Sequence, residues 1–369
     1  MVANTAWNIY NFRMNLVHVL LRRGFLVTII TPEESNYFNQ TEEGVRFVPL
    51  KKLNRRSTNP WYDLQLIIEL YTIYRQVKPD LVLQYTVKPN IFGGFAAGLL
   101  GIPSIAAVTG LGYAFLHKGA VQQITKILYR LSGKFHRKII FENQDDLALF
   151  QQLGIIQTEK GMAVKGCGVD ARHFAPIHIP EVNKNTVFTF IGRLLYDKGI
   201  REFAEASKEI QKKYPDTECW IIGDPDPGNP ASVKDNDLKT WTDEKTIIYH
   251  GPKSDIRELV GLSSCIVLPS YREGLPKVIL EAMSMAKPVI TTNTPGCREA
   301  VNDGGNGFLA AAKSTDSLVN AMERFILLPD DDKIKMGMTG RQMILEIFED
   351  QIIANQLADV IEQESAEYQ

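Results

Sequence analysis

Cys265-Ile266-Val267-Leu268-Pro269-Ser270-Tyr271-Arg272-Glu273-Gly274-Leu275-Pro276-Lys277-Val278-Ile279-Leu280-Glu281-Ala282 runs from an apolar strand through a polar turn into a helix. A short apolar run ended by Pro269 suits a strand covered on both faces. Pro276 stands where a first helical turn tolerates a missing N–H, because that donor has no intrahelical acceptor. Strand, loop and helix in this order form one unit of a doubly wound α/β domain. Ligands of such domains bind beyond the carboxyl ends of the strands.

A second unit precedes it. Phe190-Ile191-Gly192-Arg193-Leu194-Leu195-Tyr196-Asp197-Lys198-Gly199 links a strand at Val187–Ile191 to a helix at Lys198–Lys213. Further strands are expected at Glu218–Ile222, Thr246–Tyr249 and Pro288–Thr291, with helices at Ser254–Leu262 and Pro276–Ala286. The first half repeats the alternation. Its strands fall at Phe25–Thr31, Val45–Leu50, Leu81–Tyr85, Ser104–Val108 and Lys138–Phe141. Its helices fall at Phe12–Arg23, Tyr62–Val77, Asn90–Leu100, Gln122–Leu131 and Gln144–Leu153. An opening strand has room only at Met1-Val2-Ala3, ahead of a polar loop at Asn4–Asn8. Either that strand is very short or the chain starts inside it.

Two such series flank Phe174-Ala175-Pro176-Ile177-His178-Ile179-Pro180, and 369 residues suit two cores. The expectation is two doubly wound, Rossmann-like domains facing across a cleft, residues 1–178 and 179–347. A C-terminal helix at about 348–369 is expected to pack back on the first domain.

Hydrophobic residues make up 44% and charged residues 23%, as in an ordinary soluble globular protein. Residues 1–175 carry 20 Lys and Arg against 12 Asp and Glu; the remainder carries 21 against 31. The basic half therefore suits an anionic partner. No nucleic-acid module or basic motif with interleaved aromatics is present, which argues against nucleic acid. Cys167, Cys219, Cys265 and Cys297 form no CxxC pair, and no signal-peptide pattern opens the chain, so a reducing cytoplasm is expected. No charge lies between Lys88 and Lys118, but Gly93, Gly94, Gly98, Gly101, Pro103, Gly110 and Gly112 break that stretch. A buried helix, a turn and a strand fit it better than a membrane span.

Gly192 lets a ligand approach backbone closely, Arg193 offers a planar fork to phosphate oxygens, and Lys198 adds a point charge. Placed after a strand and before a helix, they suit a diphosphate. The same loop would also serve as a solvated basic turn. Glu273 and Glu281 bracket the start of the other helix. They could bracket a ligand lying along the helix start, or equally serve as a dipole-favoured charge and a solvated face residue. Asp224-Pro225-Asp226 invites comparison with a metal-binding DxD motif, although Pro225 and Pro227 favour a plain turn.

Gly192-Arg193 with Lys198-Gly199, followed by Glu273-x7-Glu281, resembles family 4 of the retaining glycosyltransferases, over essentially the whole chain. The resemblance implies the GT-B fold, a nucleotide-sugar donor in the second domain and no metal or other cofactor. It places Arg193 and Lys198 on the donor pyrophosphate, with Glu273, Gly274, Leu275 and Pro276 on the donor sugar. Glu281 then falls on the ribose, and His250-Gly251 where the base is held. Arg193, Lys198 and Glu273 carry the catalytic roles.

A narrower resemblance rests on Tyr10-Asn11-Phe12-Arg13, Asn59-Pro60, Lys88-Pro89-Asn90-Ile91-Phe92-Gly93 and Thr109-Gly110-Leu111-Gly112. These stretches are similar to enzymes that extend polyprenyl-diphosphate-linked sugars, the bacillosaminyl-diphospho-undecaprenol N-acetylgalactosaminyltransferase group and its capsule and O-antigen relatives. They imply a UDP-linked hexose or N-acetylhexosamine, a lipid-diphosphate-linked sugar acceptor, and acceptor contacts at Asn11, Arg13, Lys88, Asn90 and Gly110. Gly110 stands where many members carry a His, which puts a catalytic histidine in doubt. The family's first strand is clipped here, so the true start is expected upstream of Met1.

Lys51, Lys52, Arg55 and Arg56 form one basic cluster. Lys118, Lys126, Arg130, Lys134, Arg137 and Lys138 flank or lie on an amphipathic stretch. Both sets suit an anionic membrane surface, and both also suit a solvated face. A sugar-nucleotide epimerase of the same architecture and a non-catalytic nucleotide-sugar binder remain alternatives. The first needs no acceptor; the second has no turnover.

Overall fold

The computed structural model describes residues 1–34, 43–54, 57, 59–112, 115, 119–177 and 185–366. Arg55, Arg56, Lys118 and positions 178–180 of the expected linker lie outside the described residues. The chain divides into two compact units, Met1–Cys167 with Asp350–Gln369, and Gly168–Glu349.

The first unit holds β1 (Val27–Thr31), β2 (Val45–Pro49), β3 (Val82–Tyr85), β4 (Ser104–Val108), β5 (Lys138–Phe141) and β6 (Gly161–Ala163). Every pairing among them is parallel. Val2 bridges Ile30 of β1 and Gln84 of β3. Its N–H donates to Leu83 O at 2.8 Å, and its carbonyl accepts from Tyr85 N at 2.9 Å. Val2 therefore lies between β1 and β3 and joins them in one sheet.

Asn4–Asn8 is not a loop throughout, because residues Ala6–Phe12 are helical. Thr5 caps this helix by accepting from Asn8 N, and Ala6 and Ile9 are buried one turn apart. Exposed Trp7 and Asn11 hide that period in the sequence. The helix expected at Phe12–Arg23 begins instead at Met14, after a break at Arg13.

The charge-free stretch becomes the helical turn Pro89–Gly93, the helix Gly94–Leu100 and β4, with left-handed Gly101 between helix and strand. No described helix is long and apolar enough to cross a membrane. The helix Asp350–Ala366 sets Ile353, Leu357 and Ile361 into one core with Leu16, Val17 and Leu20.

The second unit holds β7 (Thr186–Ile191), β8 (Thr217–Ile222), β9 (Ile248–Tyr249), β10 (Cys265–Leu268), β11 (Val289–Thr292) and β12 (Gly307–Ala310). They pair in the order β12-β11-β10-β7-β8-β9, all parallel. Phe188, Phe190, Phe203 and Phe325 anchor its core. Burial of each such ring contributes about 1.5–3 kcal/mol. Winding proceeds outward in opposite directions from β7 and β10, so their junction is the switch point where such sheets bind ligands. The unit starts earlier than residue 179, because Val169 bridges Glu349 and Phe174 packs against this core.

Candidate active site

The loops after β7 and β10 meet at the switch point. Gly192 adopts φ 153°, and a Cβ there would meet no protein atom within 4 Å, so the space beside its backbone is open. Arg193 is 60% exposed at its side chain and pairs with Asp226 at 2.9 Å. The Asp224-Pro225-Asp226 turn thus supplies a carboxylate to the candidate phosphate-binding arginine. Lys198 ends a single helical turn, Tyr196–Lys198. Gly199 then takes φ 73°, and a Cβ there would stand 2.1 Å from Pro269 O. Only glycine lets this loop lie against the end of β10.

Lys198 Nζ is in direct contact with Glu273 Oε1. Ser270 Oγ donates to the same carboxylate oxygen at 2.6 Å. The Glu273 backbone is braced from the side of β11, where its N–H donates to Pro295 O at 3.1 Å. Gly296, at φ 79°, leaves no room for a side chain beside Glu273 O and Gly274 O. Gly274, Leu275 and Pro276 are buried, and the helix Lys277–Ser284 starts directly after them. Its first-turn N–H groups lack intrahelical acceptors by position, which suits an anion or sugar oxygens.

Glu281 lies within that helix, with Lys277 at 4.0 Å. Burial pushes its carboxyl above the usual range, and Lys277 opposes the shift. Among the described residues it pairs with neither Arg193 nor Lys198. Beyond β9, His250 packs edge-on against Trp220 at 4.8 Å. Burial lowers its pKa and Lys253 lowers it further, so the ring is neutral at pH 7. Its Nε2 is buried with no hydrogen-bond partner among the described residues. Gly251 accepts from Gly223 N at 3.1 Å, tying the ends of β8 and β9.

In the first unit, four of the expected acceptor residues already hold partners within that unit. Arg13 is 5% exposed and pairs with Glu142 at 2.9 Å, with its guanidinium 4.6 Å from the centre of the Tyr85 ring. Lys88 pairs with Asp63 at 2.5 Å. Asn90 is wholly buried and donates to Ala107 O at 2.9 Å. Asn11 is exposed and donates to Trp7 O. Gly110 takes φ 104°. Of the basic residues, Arg130 donates to the carbonyls of Gly154 and Leu153. Arg137 and Lys138 each lie 3.9 Å from Glu364.

Sequence reasoning missed Ser270, Asp226 and Gly296 as parts of this site. Gly296 had a visible signal, since Thr294-Pro295-Gly296 after a strand marks a tight turn. Asp226 reads as part of a plain turn, and nothing local in the sequence links it to Arg193.

Residues 175–343 match the family described as Glycosyl transferases group 1, and residues 1–143 match the one described as Glycosyl transferase 4-like. The N,N'-diacetylbacillosaminyl-diphospho-undecaprenol alpha-1,3-N-acetylgalactosaminyltransferase of Campylobacter jejuni is 28% identical, over 90% of this chain and 89% of its own. The UDP-Gal:alpha-D-GlcNAc-diphosphoundecaprenol alpha-1,3-galactosyltransferase of Escherichia coli is 30% identical, over 84% of this chain and 81% of its own. Among solved structures, Anabaena Alr3699/HepE in complex with UDP and glucose superposes with a TM-score of 0.80 at 17% identity, covering 98% of each chain.

Proposed function

Since the chain belongs to the group 1, 4-like glycosyltransferases, we propose that it is a retaining enzyme that uses a UDP-sugar. Glycosyl transfer and the GT-B fold come with the family; donor, acceptor and stereochemistry are the proposal. The sugar is a hexose or N-acetylhexosamine, and the acceptor is a polyprenyl-diphosphate-linked sugar in surface glycan assembly. The printed activities of the C. jejuni and E. coli relatives support that acceptor class.

The observation that carries the donor assignment is the meeting of Lys198 and Glu273 at the switch point, in the loop that also presents Arg193. Sugar transfer passes through an oxocarbenium-like state while negative charge grows on the departing diphosphate. Fixed cations placed where that charge develops lower the barrier. Lys198 has three N–H donors and Glu273 engages one, which leaves two for phosphate oxygens. Arg193 keeps N–H groups beyond the one given to Asp226. Glu273 and the buried Gly274–Pro276 backbone then hold the sugar. Glu281 takes the ribose, and His250 with Gly251 takes the base. No metal is required.

The helix Ala120–Ser132 supports association with the inner face of the cytoplasmic membrane. It turns Thr125, Tyr129 and Ser132 inward and leaves Val121, Ile124, Ile127 and Leu131 exposed. Lys126 and Lys134 carry no carboxylate partner among the described residues. An apolar face with flanking cations suits an anionic bilayer surface.

A panel of nucleotide sugars assayed against a polyprenyl-diphosphate-linked sugar tests the proposal. Transfer from a UDP-sugar with the donor's anomeric configuration retained is expected. Conversion of donor to an epimer without acceptor would overturn it.

A further inference from the structure

We propose that a cavity in the first unit binds the diphosphate end of the lipid-linked acceptor, with Lys51 and Lys52 as its cations. The cavity has a volume of about 720 Å³, and Asn4, Lys51, Lys52, Asn54, Tyr62 and Gln65 line it. Its position follows the general placement of ligands in doubly wound sheets. Asn4 comes just after the bridging residue Val2, and Lys51 just after β2, so the cavity opens at the carboxyl edge of the strands.

Charge pairing separates these lysines from the other candidates. Arg13 and Lys88 each hold a carboxylate within the same unit, and each pair is largely withdrawn from water. Lys51 and Lys52 are exposed and have no carboxylate partner among the described residues. Their backbone is nevertheless fixed, since the N–H groups of Lys51 and Lys52 donate to the two oxygens of Glu69 at 2.9 and 2.8 Å. Glu69 thus anchors the loop through its main chain and leaves both ammonium groups available. The side chains of Asn4, Tyr62 and Gln65, which hold no hydrogen-bond partner among the described residues, add neutral donors suited to phosphate and sugar oxygens.

The helix Pro60–Val77 supplies the second half of the chemistry. Tyr62, Gln65 and Glu69 recur at helical spacing on the side toward the cavity and its loop. Trp61, Leu64 and Ile68 recur with the same spacing on the adjoining face, and are 62%, 45% and 56% exposed. An anion-binding cavity next to an exposed apolar stripe matches an amphiphile whose diphosphate is bonded to a hydrocarbon chain. A free nucleotide or inorganic pyrophosphate matches only the cavity.

This inference rests on the acceptor class proposed above, and the experiment separates the two. Undecaprenyl diphosphate in detergent micelles is titrated into the full chain by calorimetry, with inorganic pyrophosphate and phosphatidylglycerol vesicles as parallel arms. Steady-state transfer to a polyprenyl-diphosphate-linked sugar is measured alongside. Lys51→Glu/Lys52→Glu is expected to weaken lipid-diphosphate binding, and to raise the acceptor KM, by about tenfold to a hundredfold. Its donor KM and melting temperature should match wild type, and Lys51→Arg/Lys52→Arg should restore acceptor binding. Trp61→Glu should impair long-chain acceptors and spare a short-chain analogue. Three results would overturn the inference: an unchanged acceptor KM in the charge-reversed variant, pyrophosphate binding as tightly as the lipid, or a loss confined to vesicle binding. A wild-type chain that binds undecaprenyl diphosphate through Lys51 and Lys52 but transfers no sugar to it would sink the proposed function and leave the cavity assignment standing.

Discussion

Lys198 Nζ and the Glu273 carboxylate meet across the two loops that leave β7 and β10, although 75 positions separate them in the chain. Lys198→Ala should lower kcat by about a hundredfold to a thousandfold, the range for removing one preorganised charge from a transition state. Glu273→Gln should raise the donor KM as well as lower kcat. Because the two groups touch, their losses should combine less than additively in the double variant. Steady-state kinetics on the four proteins measures this, and simple additivity would show that the pair does not act as a unit.

Gly296→Ala tests how the Glu273 loop is held. The new methyl would stand 2.3 Å from Glu273 O and 2.4 Å from Gly274 O, at a φ of 79°. Gly304→Ala imposes the same φ of 79° with nothing within 4 Å of the new methyl, so it isolates the backbone strain. Both variants should lose about 1–3 kcal/mol from strain. Only Gly296→Ala should also raise the donor KM. Equal donor constants in the two variants would remove Gly296 from the site.

Activity should persist after dialysis against a chelator, since Arg193 and Lys198 supply the positive charge assigned to the leaving diphosphate. The rate before and after EDTA, with Mn²⁺ and Mg²⁺ added back, is the measurement. Restoration by either ion after a loss in EDTA would contradict the proposed mechanism.

His136 ties stability to pH. Its Nε2 lies 2.8 Å from Asn90 O and its Nδ1 2.8 Å from Ser104 Oγ. A carbonyl only accepts, so Nε2 carries a proton. Burial lowers its pKa from 6.5 to about 4. Below its unfolded value the unfolded chain therefore binds the extra proton and the native chain does not. The stabilisation is complete above about pH 6.5 and is lost as the pH falls towards about 4, up to about 3 kcal/mol. Denaturant unfolding at about pH 7.5 and about pH 5 should show a smaller pH-dependent loss in His136→Gln than in wild type. Equal losses would assign the acid sensitivity to other groups.

The regular part of the fold was legible because its signals are local. β4 and β5 fall where the apolar runs placed them, and the helix Pro60–Val77 starts two residues ahead of its expected position. Short elements escaped notice. β6 has three residues, too few for a period to be visible, and β12 follows directly on the turn-like run Asn302-Asp303-Gly304-Gly305-Asn306, its own first residue being Gly307. The helix Ala6–Phe12 was hidden by polar residues on its outer side. Arg193, Lys198 and Glu273 were identifiable as chemistry-bearing residues at strand ends. The pairing of charges was not, because Asp226 lies 33 positions from Arg193 and Glu142 lies 129 from Arg13.

The amino-acid sequence alone determined the alternation of strand and helix, the doubly wound class and the two loops that carry the charged groups. Those properties follow from periodicity and turn chemistry within short stretches. Only the tertiary structure decided which charges are already paired. It gave Glu142 to Arg13 and Asp63 to Lys88, and left Lys51 and Lys52 beside a cavity with no carboxylate partner among the described residues. Pairing depends on distances of a few ångströms between groups remote in the chain, and those distances exist only once the sheets have assembled.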